Sequence, residues 1–378
     1  MKNIPGMRYL AILAMVCCFF LNFMIYREYG ASLQAKPEGT VQVARKVEPE
    51  AAVPPSRGEL RRPAEYRGIY LHNYSARMPK ILADYVTKAK QHGVNTLVLD
   101  MQDAVYFRPG EIPQQNVALC LSNGIWPVAR IVVFPYGLKE YPVPQSLIAD
   151  RMALARKAVS LGFREIQFDY IRFEDSGRLR QVGQEERYRM VEGFLSNARR
   201  ELSAKGIVVS ADVFGRVALN RHDPIGQRLE GLDNAVDVIL PMAYPSHYTW
   251  SRFMIANPYY TLYKSSVVAR DRLKKAQLVM YIQGFEMRVA PSGLSLPVYI
   301  AHQMQACVDA RIGGWIVWNA AQNYGPTWDA LKLMAAKSPI PGIEAARAAT
   351  AREERSAESQ ATGTRTPATK KRTEGNRA

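Results

Sequence analysis

The stretch REIQFDYIRF, residues 164–173, alternates apolar and polar side chains in the manner of a β-strand. Side chains on a strand point alternately to its two faces. One face carries Phe168 and Tyr170 and suits packing beneath helices. The other face carries Gln167 and Asp169, which would be costly in an apolar core. The stretch therefore predicts a strand of a barrel whose interior becomes polar near the end of the strand.

Seven further β-rich runs alternate with helical segments along the chain. The strand candidates are residues 67–72, 95–103, 126–134, 206–215, 236–244, 276–285 and 312–320. The helical candidates are residues 79–92, 145–161, 183–205, 224–235, 257–274 and 297–310. Eight strands alternating with helices predict an α/β fold, a parallel (β/α)8 TIM barrel forming a single domain. An open doubly wound sheet is the alternative, but no GxGxxG or GxxxxGK[ST] loop follows any strand.

Segments of different composition flank the predicted barrel. Residues 9–26 are uncharged and mostly apolar, and Lys2 and Arg8 precede them, so residues 1–30 are predicted to be a signal or membrane anchor. We favour an uncleaved single-pass anchor in the cell inner membrane, with the domain in the periplasm or outside the cell. Residues 31–65 are predicted to be a flexible linker, 66–340 the barrel, and 341–378 a disordered basic tail.

The composition gives no support to several functional classes. The formal net charge of +16 is concentrated partly near the two ends, and no nucleic-acid-binding motif accompanies it. We therefore expect no nucleic-acid partner. The four Cys form no CxxC pair and the five His form no HExxH motif, so neither a metal nor a cofactor is predicted.

Polar residues gather where the predicted strands end, which is where barrel enzymes carry their active sites. Asp169 and Asp212 both lie inside apolar runs of neighbouring strands, so they are the predicted catalytic pair. Cleavage of a glycosidic bond needs two such carboxyl groups, one as acid and one as nucleophile or base. Predicted substrate-binding residues are Asp100, Asp103, Arg130, Arg172, Tyr244, His247, Gln283, Trp318 and Asn319.

Several motifs resemble those of a bacterial family of glycoside hydrolases with a TIM-barrel domain, which is distantly similar to the α-amylase-type barrels. The most specific are EIQFDYIRF and LPMAYPSHY, and GIYLHNYS, NTLVLDMQD, SADVFG and GGWIVWNA support them. The resemblance implies a carbohydrate-active, exported barrel. It also implies that Asp169 takes the position of the nucleophile after strand four. Asp212 takes the position of the acid/base after strand five, where the relatives usually have Glu.

The sequence departs from the family pattern at three places. Gln102 replaces the Lys of a D-x-K-D motif, Glu174 replaces a Pro, and residues 136–151 lack the Trp residues common there in the family. These departures leave two functional hypotheses open. One is an exported, membrane-tethered glycosidase that cleaves a polysaccharide. The other is a catalytically silent, polysaccharide-binding barrel in an envelope or secretion complex.

A third possibility, another hydrolase such as a metal-dependent deacetylase, is disfavoured by the scattered His residues. The separation of the Asp169 and Asp212 carboxyl groups distinguishes the first two hypotheses. About 5–5.5 Å fits a retaining and about 6.5–9.5 Å an inverting glycosidase. A much larger gap, or an arginine that fills the site, favours binding alone.

Overall fold

A closed parallel barrel forms the centre of the protein. The computed structural model describes residues 61–103, 105–175 and 177–363. Strands β1 to β9 are Tyr66–Leu71, Thr96–Asp100, Trp126–Val132, Glu165–Asp169, Val208–Phe214, Val238–Met242, Gln277–Leu278, Met280–Gln283 and Gly314–Trp318. β7 and β8 both pair with β6, so they are two pieces of the seventh barrel strand. β5 pairs with β6 and closes the sheet, which excludes the open doubly wound alternative.

Helices cover the outside of this barrel. α1 to α11 are Asn73–Arg77, Pro79–Gln91, Gln114–Ser122, Gln145–Leu161, Gln184–Ser203, Leu229–Ala235, Arg252–Ala256, Pro258–Arg272, Leu296–Asp309, Gly325–Ala335 and Ile343–Gly363. Local sequence explains several boundaries. Pro79 and Pro258 each stand at the first helical position, where the missing N–H costs nothing. Gly162 ends α4 in the left-handed conformation (φ 102°) and leads the chain into β4.

The strands separate two apolar cores. Outward-facing residues such as Ile166, Phe168 and Val209 pack against the helices in the larger core. Inward-facing residues such as Val128 and Leu240 fill the barrel interior. The alternation along β4 and β5 therefore has the predicted direction, with Gln167 and Asp212 turned inward.

Gly314 allows β9 to pair closely with β1. Its φ of 111° lies in the left-handed region, and an added Cβ would lie 2.0 Å from the carbonyl oxygen of Tyr66. A side chain there would collide with backbone and not with a movable group. Glycine is therefore required where the barrel closes between its first and last strands.

The C-terminal segment differs from its prediction. Residues 341–378 were expected to be disordered, but α11 continues to Gly363. Ile343 is buried at the start of this helix, and the guanidinium of Arg347 pairs with Asp309 of α9 at 2.8 Å. The lack of aromatic and large aliphatic residues suggested disorder, but the segment is also rich in Ala, which favours a helix once one end is anchored. Residues 364–378 lie outside the described residues.

The predicted N-terminal anchor also lies outside the described residues, as does most of the predicted linker. Within the described ranges, no helix is both long enough and apolar enough to span a membrane.

Glu165 is a fully buried carboxyl group inside the barrel, at the start of β4. It accepts hydrogen bonds from the Tyr66 hydroxyl at 2.7 Å and from Trp126 Nε1 at 2.8 Å. Burial raises the pKa of Glu165 above its usual value. The folded state therefore holds this proton more tightly than the unfolded state. The resulting stabilisation is complete below the unfolded-state pKa of about 4.3 and is lost as the pH rises towards the folded-state value.

Replacing Glu165 by Gln is expected to stabilise the protein at neutral pH, because the variant keeps an acceptor oxygen and never carries the buried charge. The gain should be about 1.4 kcal/mol for each unit by which burial raises the pKa, and it should shrink towards pH 4. Urea unfolding of both proteins between pH 4 and pH 8 measures it. The partly exposed Glu201, whose pKa is lowered by its hydrogen bond with Arg156, provides the control, since Glu201→Gln should give no such gain. A pH-independent difference for Glu165→Gln would contradict the interpretation.

Candidate active site

A cleft of about 440 Å³ opens at the carboxyl ends of the strands. Seven of the eleven residues predicted to form the site line it: Asp169, Asp212, Arg130, Arg172, Tyr244, His247 and Trp318. Asp169 comes from the end of β4 and Asp212 from inside β5, and these strands are neighbours in the sheet. The structure therefore brings the predicted catalytic pair together in one cleft.

Arg130 of β3 is the central cation of this cleft. Its Nη1 lies 2.5 Å from Asp100 Oδ1, and its Nη2 lies 2.5 Å from Asp169 Oδ2. Its Nε lies 3.0 Å from the same Asp169 oxygen and 3.8 Å from Asp212 Oδ2. Arg130 is only 6% exposed, so these ion pairs are poorly screened by solvent. Arg130, predicted to bind substrate, is therefore the partner of the buried carboxylates.

The contacts of Arg130 limit the separation of the catalytic candidates. Because Asp169 Oδ2 and Asp212 Oδ2 lie 3.0 and 3.8 Å from one nitrogen, they are no further apart than the sum of these distances. The separation of about 5–5.5 Å that is typical of retaining glycosidases lies below this limit. Among the separations typical of inverting glycosidases, only the shortest lie below it.

Asp212 is held in a different environment from Asp169. Both of its carboxyl oxygens accept from the Gln167 side-chain amide, at 2.9 and 2.8 Å, and this amide also contacts the Tyr281 hydroxyl at 2.8 Å. Asp212 is 1% exposed. Burial, followed by the nearby charge of Asp169, raises its pKa well above the ordinary value. Asp212 therefore favours the protonated form, whereas Asp169 is ion-paired.

The backbone turns sharply just after Asp169, and this corrects the prediction for Tyr170. The strand ends at Asp169, and Tyr170 adopts the left-handed conformation (φ 53°) while its N–H donates to Asp169 Oδ1 at 2.5 Å. The alternation therefore stops there. Tyr170, expected to pack beneath the helices, lines the cleft, whereas the next residue, Ile171, joins the outer core.

Tyr170 belongs to an aromatic cluster at the edge of the cleft. Its ring centroid lies 6.4 Å from those of Phe107 and Tyr136, which are 5.6 Å apart. All three residues have positive φ, between 53° and 62°. Non-glycine residues with positive φ are uncommon and cost about 1–3 kcal/mol each, and they concentrate at functional sites. Tyr136 is 56% exposed and offers a ring face to a ligand.

Four predicted substrate-binding residues support the site without lining the cleft: Asp100, Asp103, Gln283 and Asn319. Asp100 is buried beneath it and binds Arg130 and the Tyr70 hydroxyl. Asp103 accepts from three backbone N–H groups of its own loop. Gln283 bonds to backbone groups of the following loop, and Asn319 donates to Gly284 and Asn323 carbonyl oxygens. Polar side chains at these strand ends often make hydrogen bonds to backbone groups of the adjoining loops. The sequence alone does not distinguish this role from ligand binding.

Two departures from the family pattern have structural roles. Gln102 is buried, accepts from the Val132 N–H at 2.7 Å and donates to the Phe107 carbonyl oxygen at 3.1 Å. A lysine could not accept the first of these bonds. The N–H of Glu174 donates to the Leu138 carbonyl oxygen at 3.3 Å, a bond that proline could not make.

Other cleft residues were not singled out from the sequence. Phe214, Arg216 and Tyr281 all line it. Phe214 and Tyr281 have apolar neighbours on their strands and are typical core residues by pattern. Arg216 lies two residues beyond Phe214, at the same strand end as Asp212. This position in the sequence could have identified it as a cleft residue. Among the described residues, no group of three or more His, Cys, Asp or Glu is arranged to hold a metal ion.

A match to a known family covers the segment that contains both carboxyl groups. Residues 142–324 match the family model described as a putative glycosyl hydrolase domain. This match confirms the predicted resemblance to glycoside hydrolases. It includes β4 to β9, and hence Asp169 and Asp212, while Asp100 and Arg130 precede it. No curated protein matches the sequence.

Solved structures of glycoside hydrolases share the barrel fold of this chain. The PgaB (BpsB) glycoside hydrolase domain from Bordetella bronchiseptica has a TM-score of 0.55 at 11% identity, covering 72% of this chain and 99% of its own. An endo-beta-1,4-mannanase from Thermotoga petrophila has a TM-score of 0.51 at 10% identity, covering 67% of each chain. A chitinase from Chromobacterium violaceum has a TM-score of 0.50 at 16% identity, covering 72% and 100%. At such identities the likeness establishes the fold alone.

Proposed function

We propose that the protein is a glycoside hydrolase in which Asp169 acts as nucleophile or base and Asp212 as general acid. The observation that carries this proposal is the contrast between two carboxyl groups of neighbouring strands in one cleft. Asp169 is ion-paired with Arg130, whereas burial raises the pKa of Asp212. A neutral acid beside an ionised carboxylate is the arrangement that cleavage of a glycosidic bond requires.

The shape and walls of the cleft support a sugar polymer as substrate. Tyr170, Tyr244, Tyr248, Trp250 and Trp318 all line it, and Trp250 is 61% exposed at its rim. Flat aromatic faces give apolar contact to sugar rings while the polar groups between them bind hydroxyls. The upper limit on the distance between Asp169 Oδ2 and Asp212 Oδ2 is compatible with a retaining mechanism, in which a covalent intermediate forms on Asp169.

One observation favours the second candidate, a polysaccharide-binding barrel without catalysis. Both oxygens of Asp169 are already engaged, Oδ2 by Arg130 and Oδ1 by the N–H of Tyr170, and the residue is only 3% exposed. A nucleophile needs a free approach to the sugar. If Arg130 stays in place when glycan binds, the cleft holds the polymer without cutting it.

A panel of glycans incubated with the protein tests the proposal, with release of new reducing ends as the measurement. Cleavage of at least one glycan is the expected result. Binding of a glycan without cleavage, across the panel and between pH 4 and pH 8, would contradict the enzymatic proposal and support the binding barrel.

We also propose that the domain is exported and held by an uncleaved membrane anchor at residues 9–26. The support is the uncharged apolar run in the sequence, preceded by Lys2 and Arg8. Protease treatment of intact and permeabilised cells tests the topology. Digestion of the barrel only after the inner membrane is opened would contradict export.

A further inference from the structure

Arg172 is an arginine of the cleft that has no carboxylate partner among the described residues. It lies three residues beyond Asp169, lines the cleft, and is only 8% exposed. Its Nη1 donates to the Phe173 carbonyl oxygen at 2.9 Å, and its buried Nε has no hydrogen-bond partner among the described residues. Within those residues, no carboxylate oxygen lies within 4.0 Å of its guanidinium. A buried, incompletely paired charge is costly, so it points to a partner that arrives from outside.

The other two arginines of the cleft differ in this respect. Arg130 is paired with carboxylates on two sides. Arg216 pairs with Asp223 at 2.7 Å and with Asp175 at 2.9 Å. Both have acidic partners of their own, so among the arginines that the structure places in the cleft, Arg172 is the one whose charge is available to a ligand.

Aromatic rings hold Arg172 in a fixed position. Its Cζ lies 4.4 Å from the centroid of Phe214 and 5.6 Å from that of Tyr170. Arg216 lies 4.9 Å from the same Phe214 ring, which is therefore flanked by two guanidinium groups. Burial lowers the pKa of Arg172, and the more distant Asp175 and Asp169 only partly oppose this effect. An arginine positioned in advance loses little entropy on binding an anion.

We infer that the substrate is an acidic glycan, and that Arg172 binds an oxyanion on it, namely the carboxylate of a uronic acid residue. This inference rests on the proposed function and adds the class of substrate. A carboxylate matches the planar guanidinium and forms charge-assisted hydrogen bonds with it. A sulfate ester offers the same oxyanion chemistry, so the experiment must separate these two sources.

The test uses matched glycans that differ only at C6. Each neutral oligosaccharide, such as cellohexaose or mannohexaose, is compared with its C6-oxidised uronic form and its 6-O-sulfated form by titration calorimetry. We expect the full chain to bind at least one uronic form about 10-fold or more tightly than its neutral counterpart. Arg172→Gln should reduce this ratio to about 2-fold or less, and Arg172→Lys should restore part of it. The control Arg156→Gln removes a half-exposed arginine, which pairs with Glu201 on the surface, and should keep the full ratio.

Several outcomes would overturn the inference. These are equal binding of neutral and uronic forms by the wild type, a folded Arg172→Gln variant that keeps the discrimination, or no binding of any uronic form. A preference for the sulfated form that depends on Arg172 would replace the uronic acid by a sulfate ester. Cleavage of neutral glycans alone would contradict this inference and would still support the proposed hydrolase. Tight binding of uronic glycans that are not cleaved would support this inference and contradict the proposed hydrolase.

Discussion

Replacing Asp169 by Asn is expected to lower kcat/KM for any cleaved glycan on the order of 10³-fold or more, because the amide can neither attack the anomeric carbon nor activate water. Asn keeps the size of the side chain and can still accept from the N–H of Tyr170. Binding of the uncleaved glycan should therefore change much less than turnover. Initial rates of reducing-end release, with binding measured separately by calorimetry, check both parts.

A matched control exists for this variant, because Asp169 and Asp100 both pair with Arg130 at 2.5 Å. Asp100 does not line the cleft. Asp100→Asn therefore removes a comparable buried ion pair while leaving the proposed nucleophile in place, and it should keep activity within about 10-fold. If Asp169→Asn turns over as fast as the wild type, the role assigned to Asp169 is wrong. If both variants lose activity equally, the loss comes from the ion-pair network and not from a missing nucleophile.

Replacing Arg130 by Gln is expected to lower the free energy of unfolding at pH 7 by about 3–5 kcal/mol, because it leaves buried carboxyl groups without their cation. Asp100, Asp169 and Asp212 are each no more than 4% exposed, so water cannot replace the guanidinium. The penalty should shrink at lower pH, because burial raises the pKa values of Asp100 and Asp212 and these two carboxyl groups then take up protons more easily. Urea unfolding at pH 7 and pH 5 measures both effects.

The variant Asp100→Asn in the Arg130→Gln background provides the internal check. Removing one uncompensated carboxylate should recover part of the lost stability, whereas in the wild-type background the same substitution should destabilise. A loss below about 1 kcal/mol for Arg130→Gln, or a loss that does not depend on pH, would mean that the buried charges are compensated by other groups.

The barrel could be predicted from the sequence because its signals are local. The helix predicted over residues 145–161 has these bounds in the structure, and the strand predicted over 164–173 contains β4. Apolar periodicity and glycine or proline at the boundaries act within a few residues. The pairing of Asp169 with Asp212 in one cleft was also predictable, since neighbouring parallel strands bring their carboxyl ends together.

Other parts of the site depended on contacts between distant segments. Gln283 and Asn319 have the same positions at strand ends as real cleft residues, but nearby backbone groups use their side chains. Tyr170 followed the strand alternation only until the backbone turned at Asp169. The helix at Ile343–Gly363 is anchored by Asp309 and a buried Ile343, and neither contact is visible in its composition.

The sequence by itself determined the order of strands and helices, the inward direction of Gln167, Asp169 and Asp212, and the likeness to glycosyl hydrolase motifs. These features follow from periodicity and residue type, which are properties of short segments. Only the tertiary structure decided which charges are compensated. Arg130 is paired on several sides while Arg172 lacks a carboxylate partner among the described residues, although both are arginines near strand ends. The energy of a buried charge depends on neighbours brought together by folding, and residue type alone does not specify them.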